Sequence, residues 1–199
     1  MNSTRADDKI LGFEYQFYYF LLEVLKLKDN EIVGFEVKDD VHIEGNKTLS
    51  LIQLKHTRQI NMDGNPKSLT TSDIDLWKTL SNWVDVINKE KNKKDFIINT
   101  SFIFVTNKGE SEKHIFFNAL EKFKTDDNLQ EFKNMILRYK DGLDTENANK
   151  SYIINLLSLS DKLLKSFILK LEFVFNLNNI IEVVKNEIQF GKNIRKSRL

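Results

Sequence analysis

The chain contains no cysteine, so disulfide frameworks and thiolate metal sites are excluded; the absence fits a reducing cytoplasm. Glycine occurs only seven times and never as GxGxxG or GxxxxGK[ST], which removes the glycine-rich phosphate loops. Proline occurs once, at Pro66. The three histidines, His42, His56 and His114, never stand at HxxxH or HxxH spacing, so a zinc site is not expected. No serine lies in a GxSxG elbow. No apolar run reaches the roughly 20 residues that cross a bilayer; the stretch from Phe13 to Leu27 is broken by Glu14, Gln16, Glu23 and Lys26. Nor does the first stretch, Met1 to Asp8, carry the basic and apolar pattern of a secretory signal.

Charge of one sign is also missing. Thirty basic residues oppose 29 acidic ones, so any nucleic-acid partner must be met by a local patch. Two clusters qualify: Lys89, Lys91, Lys93 and Lys94, and at the end Lys192, Arg195, Lys196 and Arg198. Each is equally well read as a solvated loop and a frayed tail. Apolar residues make up 41% of the chain and charged ones 30%, the balance of an ordered globular protein.

Periodicity organises the rest. Leu11, Tyr15, Tyr18, Leu22 and Leu25 recur at helical spacing, and Phe13, Phe17, Phe20 and Leu21 fill other sides, which predicts a buried helix over 11–27. Three extended segments follow, at 31–37, 40–44 and 48–56, with Gly45-Asn46-Lys47 as a hairpin turn. A loop over 57–71 precedes a helix capped by Ser72 and running to about Asn88. A strand is expected over 96–105, and helices over 112–124, 127–140, 151–158, 160–175 and 178–190. Trp77, Trp83, Phe116, Phe117 and the stripe Leu163, Phe167, Leu171 are assigned to the core. The expected fold is α/β: a mixed sheet of about four strands, flanked by the first helix and the helix from Ser72, over residues 1–110. A helical subdomain over 111–199 packs on it.

The hairpin carries the chemistry. A two-residue turn at Asn46-Lys47 pairs Gly45 with Thr48 and, counting outward, Asp40 with Gln53. Paired residues share a face, so Asp40, His42 and Glu44 stand with Leu51, Gln53 and Lys55. His56 falls on the other face and is read as a packing residue. A carboxylate, an amide oxygen and the Leu54 carbonyl are hard oxygens of the kind Mg²⁺ takes while keeping several waters. A nearby ammonium, Lys55, would orient a water or neutralise charge on phosphorus. These are the parts of metal-assisted phosphodiester hydrolysis.

Asp40, a gap of twelve residues, then Gln53-x-Lys55 resembles the PD-(D/E)XK nuclease motif in the variant with glutamine at the second acid. Gly12-x-x-Tyr15-Gln16, Glu36-x-x-Asp39-Asp40-Val41 and Gln53-Leu54-Lys55-His56 together are similar to the double-stranded-DNA endonuclease domain of bacterial anti-phage effectors of the CBASS and Lamassu type. The resemblance spans about residues 10–107. It implies a restriction-endonuclease-like sheet and cleavage of duplex DNA with Mg²⁺ or Mn²⁺. It also implies a regulating protein partner or sensor domain, and a homo-oligomer or complex subunit. Asp40 would be the principal metal ligand, Gln53 the second ligand, Lys55 the catalytic lysine, and Gln16 a support for the metal or its waters. Glutamine at 16 and 53 leaves the site poor in negative charge, for which Glu36 compensates if it and Asp40 lie on one continuous strand and so share its parity. Two other readings stand beside this one: a domain that keeps the fold and binds nucleic acid without cutting it, and an adaptor whose helices over 151–190 expose an apolar patch.

Overall fold

The structure is a computed structural model that describes residues 3–196. Among the described residues eight helices and five strands follow in the order α1 (Ser3–Lys26), β1 (Ile32–Phe35), β2 (Val41–Glu44), β3 (Leu49–Lys55), α2 (Ile74–Lys89), α3 (Lys93–Ile98), β4 (Thr100–Thr106), α4 (Ile115–Asp126), α5 (Leu129–Asp141), α6 (Ala148–Leu157), α7 (Asp161–Ile168), β5 (Leu171–Val174) and α8 (Ile180–Lys196). The strands form one mixed sheet in the order β1-β2-β3-β4-β5, so the expected α/β class is the observed one, with five strands rather than about four. The chain forms two compact units, each assembled from separate segments. One holds Met1–Lys67, Ile103–Lys108 and Phe173–Leu199; the other holds Ser68–Phe102 and Gly109–Glu172.

In the first unit β1, β2 and β3 form an antiparallel meander. Gly34 faces His42 and His42 faces Leu51; Val41 faces Ile52. The Gly45 N–H donates to the Thr48 carbonyl at 2.9 Å and closes the two-residue turn the sequence predicts. Alternation gives this sheet two unlike faces. Val41, Ile52 and Leu54 are buried in one apolar cluster with Tyr15, Tyr19 and Leu22, which recur on α1 at helical spacing. Ile180 and Val184 of α8 complete that cluster. The opposite parity carries Asp40, His42, Gln53 and Lys55. The apolar side of the sheet thus fixes the register, because a slip of one residue would turn Val41 and Ile52 out of the core.

The second unit is built on α2. Asp73 accepts a hydrogen bond from the Asp75 N–H and caps this helix, one residue beyond the expected Ser72. Leu76, Leu80, Trp83, Val84 and Ile87 line its buried side. Trp77 stacks on Tyr139 at 5.7 Å between ring centroids and donates its indole N–H to the Thr71 carbonyl. Trp83 and Phe167 meet Phe102 on either side. The tryptophans, Phe116, Phe117 and Phe167 are core residues, as expected.

Two expectations fail here. Residues 93–98 form a helix where a strand from Phe96 is expected, because the Asn92 side chain accepts from the Asp95 N–H and caps a helical turn. The expected helix over 160–175 ends at Ile168, and Leu171–Val174 is a strand at the far edge of the sheet.

Candidate active site at the open end of a hairpin

Beyond Val41 the ladder between β2 and β3 gives way to side chains. The register that pairs Val41 with Ile52 puts Asp40 opposite Gln53. One carboxylate oxygen of Asp40, Oδ2, accepts two hydrogen bonds: from the Gln53 side-chain amide and, at 2.8 Å, from the Leu54 backbone N–H. The carboxylate therefore supplies Leu54 with the acceptor that a longer β2 would have supplied from its backbone. Gln53 is 9% exposed and Asp40 is half-buried, so both bonds lie in a partly dry setting where a carboxylate holds its donors firmly.

Glu36 lies in the same row. It leaves β1 in the left-handed region, at φ 54°, a conformation that costs a non-glycine residue about 1–2 kcal/mol. In return its N–H donates to the Asp40 carbonyl at 3.0 Å. Burial and then the neighbouring Asp40 charge push the Glu36 carboxyl above the usual carboxylate range, and the Lys55 ammonium offsets part of that rise. Lys55 is half-buried and its side chain makes no hydrogen bond or ion pair within the described residues. Four of the expected residues, Asp40, Gln53, Lys55 and Glu36, are thus brought together with Leu54.

Beside this row, His42 is 4% exposed and its ring lies against Gly34. Its Nε2 is 3.1 Å from Glu44 Oε1, which Lys38 also meets at 2.8 Å. Its Nδ1 is buried without a hydrogen-bond partner among the described residues.

The remaining expectations separate. Gln16 is half-buried on α1, between the side that carries Tyr15 and Tyr19 and the side where Phe13, Phe17 and Phe20 meet the Phe35 ring; it has no hydrogen bond to the cluster. Lys89, Lys91, Lys93 and Lys94 all belong to the second unit; Lys89, Lys91 and Lys94 are exposed and Lys93 donates to Asn88 at 2.7 Å. Arg198 and the side chains of Lys192, Arg195 and Lys196 lie outside the described residues. His56 is the packing histidine its parity predicts: its ring is 5.0 Å from Tyr15, and half-burial followed by the nearby Arg58 charge lowers its pKa. Asn107 is a residue the sequence did not single out. It receives the Thr57 N–H and donates to the Thr57 carbonyl, both at 2.8 Å, and so clamps the chain just past Lys55. Its only sequence signal is a turn composition, Thr106-Asn107-Lys108-Gly109, which says nothing about a partner 50 residues away.

The donor set suits a hard cation. Both hydrogen bonds to Asp40 fall on Oδ2, and Oδ1 accepts none within the described residues. The Gln53 amide uses its nitrogen toward Asp40, which leaves its oxygen as a donor, and the Glu36 carboxylate is exposed nearby. A strand residue sends its carbonyl to the same side as its N–H, so the Leu54 carbonyl leaves β3 on the Asp40 side. These are oxygens of the kind Mg²⁺ prefers. Among the described residues no three histidine, aspartate or glutamate side chains gather as a metal-binding group.

No protein-family model and no curated protein matches the chain. Among solved structures it is similar to the Cap4 SAVED/CARF-domain containing receptor of Moraxella osloensis, with 18% identity and a TM-score of 0.49. The similarity covers 90% of this chain, which spans 37% of that receptor's length. At that level of likeness the functional assignment rests on the site itself.

Proposed function

We propose that the chain is a metal-dependent endonuclease that hydrolyses phosphodiester bonds of double-stranded DNA, acting in anti-phage defence as one part of a larger regulated assembly. The observation that carries this reading is the convergence of Asp40, Gln53 and Lys55 at the open end of the hairpin, with Glu36 bonded to the Asp40 backbone beside them. The defence setting comes from the family whose three sequence blocks the chain resembles.

In this reading Asp40 through Oδ1, the Gln53 amide oxygen, the Leu54 carbonyl and Glu36 hold Mg²⁺ or Mn²⁺. When bound, the ion supplies an acidified water and a counter-charge for the phosphate. The chain's own residues do the rest. Gln53 and the Leu54 N–H fix the Asp40 carboxylate in one orientation, so it needs no reorganisation as substrate arrives. Lys55 carries its charge on the same face and stabilises the extra negative charge that builds on the phosphate as water attacks.

A second reading is favoured by one observation. The two bonds to Asp40 Oδ2 close the end of a hairpin, and a purely structural aspartate would make the same bonds. On that reading the domain binds nucleic acid without cutting it. Supercoiled plasmid incubated with Mg²⁺ and with Mn²⁺ separates the two. The native chain is expected to nick and linearise the plasmid, and Lys55→Ala, which removes no hydrogen bond of the fold, to lower the rate at least about 100-fold. Equal cutting by both would remove Lys55 from the mechanism; none by the native chain would favour the binding domain.

A further inference from the structure

The segment that leaves β3 after Lys55 folds into a small hairpin of its own. Lys67 N–H donates to the Gln59 carbonyl at 2.8 Å, Ile60 bridges Pro66 antiparallel, and Asn61 N–H donates to the Asn65 carbonyl at 2.7 Å. The tip is a tight turn. Asp63 accepts from the Asn65 N–H at 3.0 Å and from its side-chain amide at 3.1 Å, and Gly64 takes φ 80°, which a side chain at that position would oppose. The base is held by the two bonds between Thr57 and Asn107. The hairpin is therefore ordered by its own backbone, and its apolar side chains have no part in ordering it.

Met62 at the tip is fully exposed and Ile60 is 63% exposed. Period-two alternation puts Ile60 and Met62 on one side of the ribbon with Pro66, the cross-strand partner of Ile60, and with the exposed Arg58. Exposed Lys67 flanks the other strand. The Asp63 carboxylate accepts two hydrogen bonds inside the turn, which hold its pKa below the usual carboxylate range and keep its negative charge at the tip. A ribbon with about 13 Å of reach that carries Ile60 and Met62 beside its tip, with Arg58 and Lys67 at its base and the anion Asp63 in its turn, has the chemistry of a side-chain wedge between base pairs, the two base cations meeting the flanking phosphates.

We infer that the 59–67 hairpin is a DNA-reading element that inserts Met62, supported by Ile60, at a base step of duplex DNA beside the cutting site. The inference rests on the endonuclease reading above for its substrate. The ribbon starts four residues after Lys55, so the tip at Asp63 stands no more than about 28 Å from that lysine, roughly eight base pairs along a duplex. Unstacking a step there selects deformable sequences, such as pyrimidine–purine steps, without any hydrogen bond to a base edge.

The test uses Lys55→Ala protein on 30-base-pair duplexes carrying 2-aminopurine at successive positions, with and without Ile60→Ser/Met62→Ser. Both serines fall on exposed positions, and far-UV circular dichroism checks the fold. A rise of 2-aminopurine fluorescence at one step is expected, together with its loss and about 10-fold weaker binding in the serine variant. Equal fluorescence and affinity in the two proteins would overturn the inference, as would DNA binding with no rise at any step. Binding of the parent to anionic vesicles in place of DNA would reassign the tip to a lipid surface and overturn it too. Plasmid cutting by otherwise native protein is measured in parallel. Cutting without a fluorescence rise sinks the hairpin and leaves the nuclease; a rise without cutting sinks the nuclease and leaves the hairpin.

Discussion

At the scale of the residue, His114 shows what burial does without a partner. It is fully buried at the start of α4, its ring is 4.3 Å from Phe117, and neither side-chain nitrogen has a hydrogen-bond partner among the described residues. Burial lowers its pKa to about 4, outweighing the attraction of Asp73. The native state therefore binds fewer protons than the unfolded chain between about pH 4 and the ordinary histidine value. Stability is full above that ordinary value and falls as pH drops toward 4, by about 1.4 kcal/mol per unit over the steep part. Urea unfolding at pH 7 and pH 5 should show a loss in the native chain that His114→Phe reduces, and an identical loss in both would contradict it. His56 is shifted in the same direction, so a residual slope in the variant is expected. The sequence marks His114 only as lacking metal-ligand spacing; its burial comes from α4 packing, which no local pattern encodes. The pairing of Asp40 with Gln53, by contrast, was legible, because a two-residue turn and a period of two leave a single register.

At the scale of the element, the meander that carries the site depends on a close approach. Gly34 has no left-handed backbone to explain it; instead a Cβ there would lie 2.0 Å from His42 Cε1. The His42 ring occupies the space a side chain would need, one row from Asp40. Gly34→Ala should force the ring off its place and lower stability by about 1–3 kcal/mol, read as a lower urea midpoint. An unchanged midpoint would show that His42 moves aside freely. Elements were legible where periodicity ran long. The stripe Leu11, Tyr15, Tyr18, Leu22 and Leu25 marked α1 from residue 11 onward, and the alternation at 40–44, the apolar run at 48–56 and the turn between them gave the hairpin. They were illegible where short segments borrowed their identity from neighbours. Leu163, Phe167 and Leu171 keep helical spacing across a helix end, yet Leu171–Val174 is a strand because the sheet offers it an edge. Four residues are too few for alternation to outvote the stripe. Phe96 and Ile97 favour a strand, but the Asn92 cap decides for a helix.

At the scale of the whole molecule, no helix among the described residues is long and apolar enough to cross a membrane. The lysines at 89–94 and the hairpin site belong to different compact units, so a joint role in DNA binding is a question for experiment and not for sequence. Both tryptophans lie in the second unit, so indole fluorescence follows that unit, and a check on folding near the site needs far-UV circular dichroism as well. That matters for the decisive variant. Because both bonds to Asp40 fall on one oxygen, an amide oxygen at the same position can accept both, and Asp40→Asn separates the charge from the cap. Asp40→Ala also removes the acceptor of the Leu54 N–H and costs about 1–3 kcal/mol, which confuses the two roles. The measurement is cutting of supercoiled plasmid in Mg²⁺ by native and Asp40→Asn protein at equal unfolding free energy. The account predicts that the native chain cuts and that the asparagine variant, equally folded, does not. Cutting by the asparagine variant at the native rate would contradict it and leave Asp40 as the cap of a hairpin.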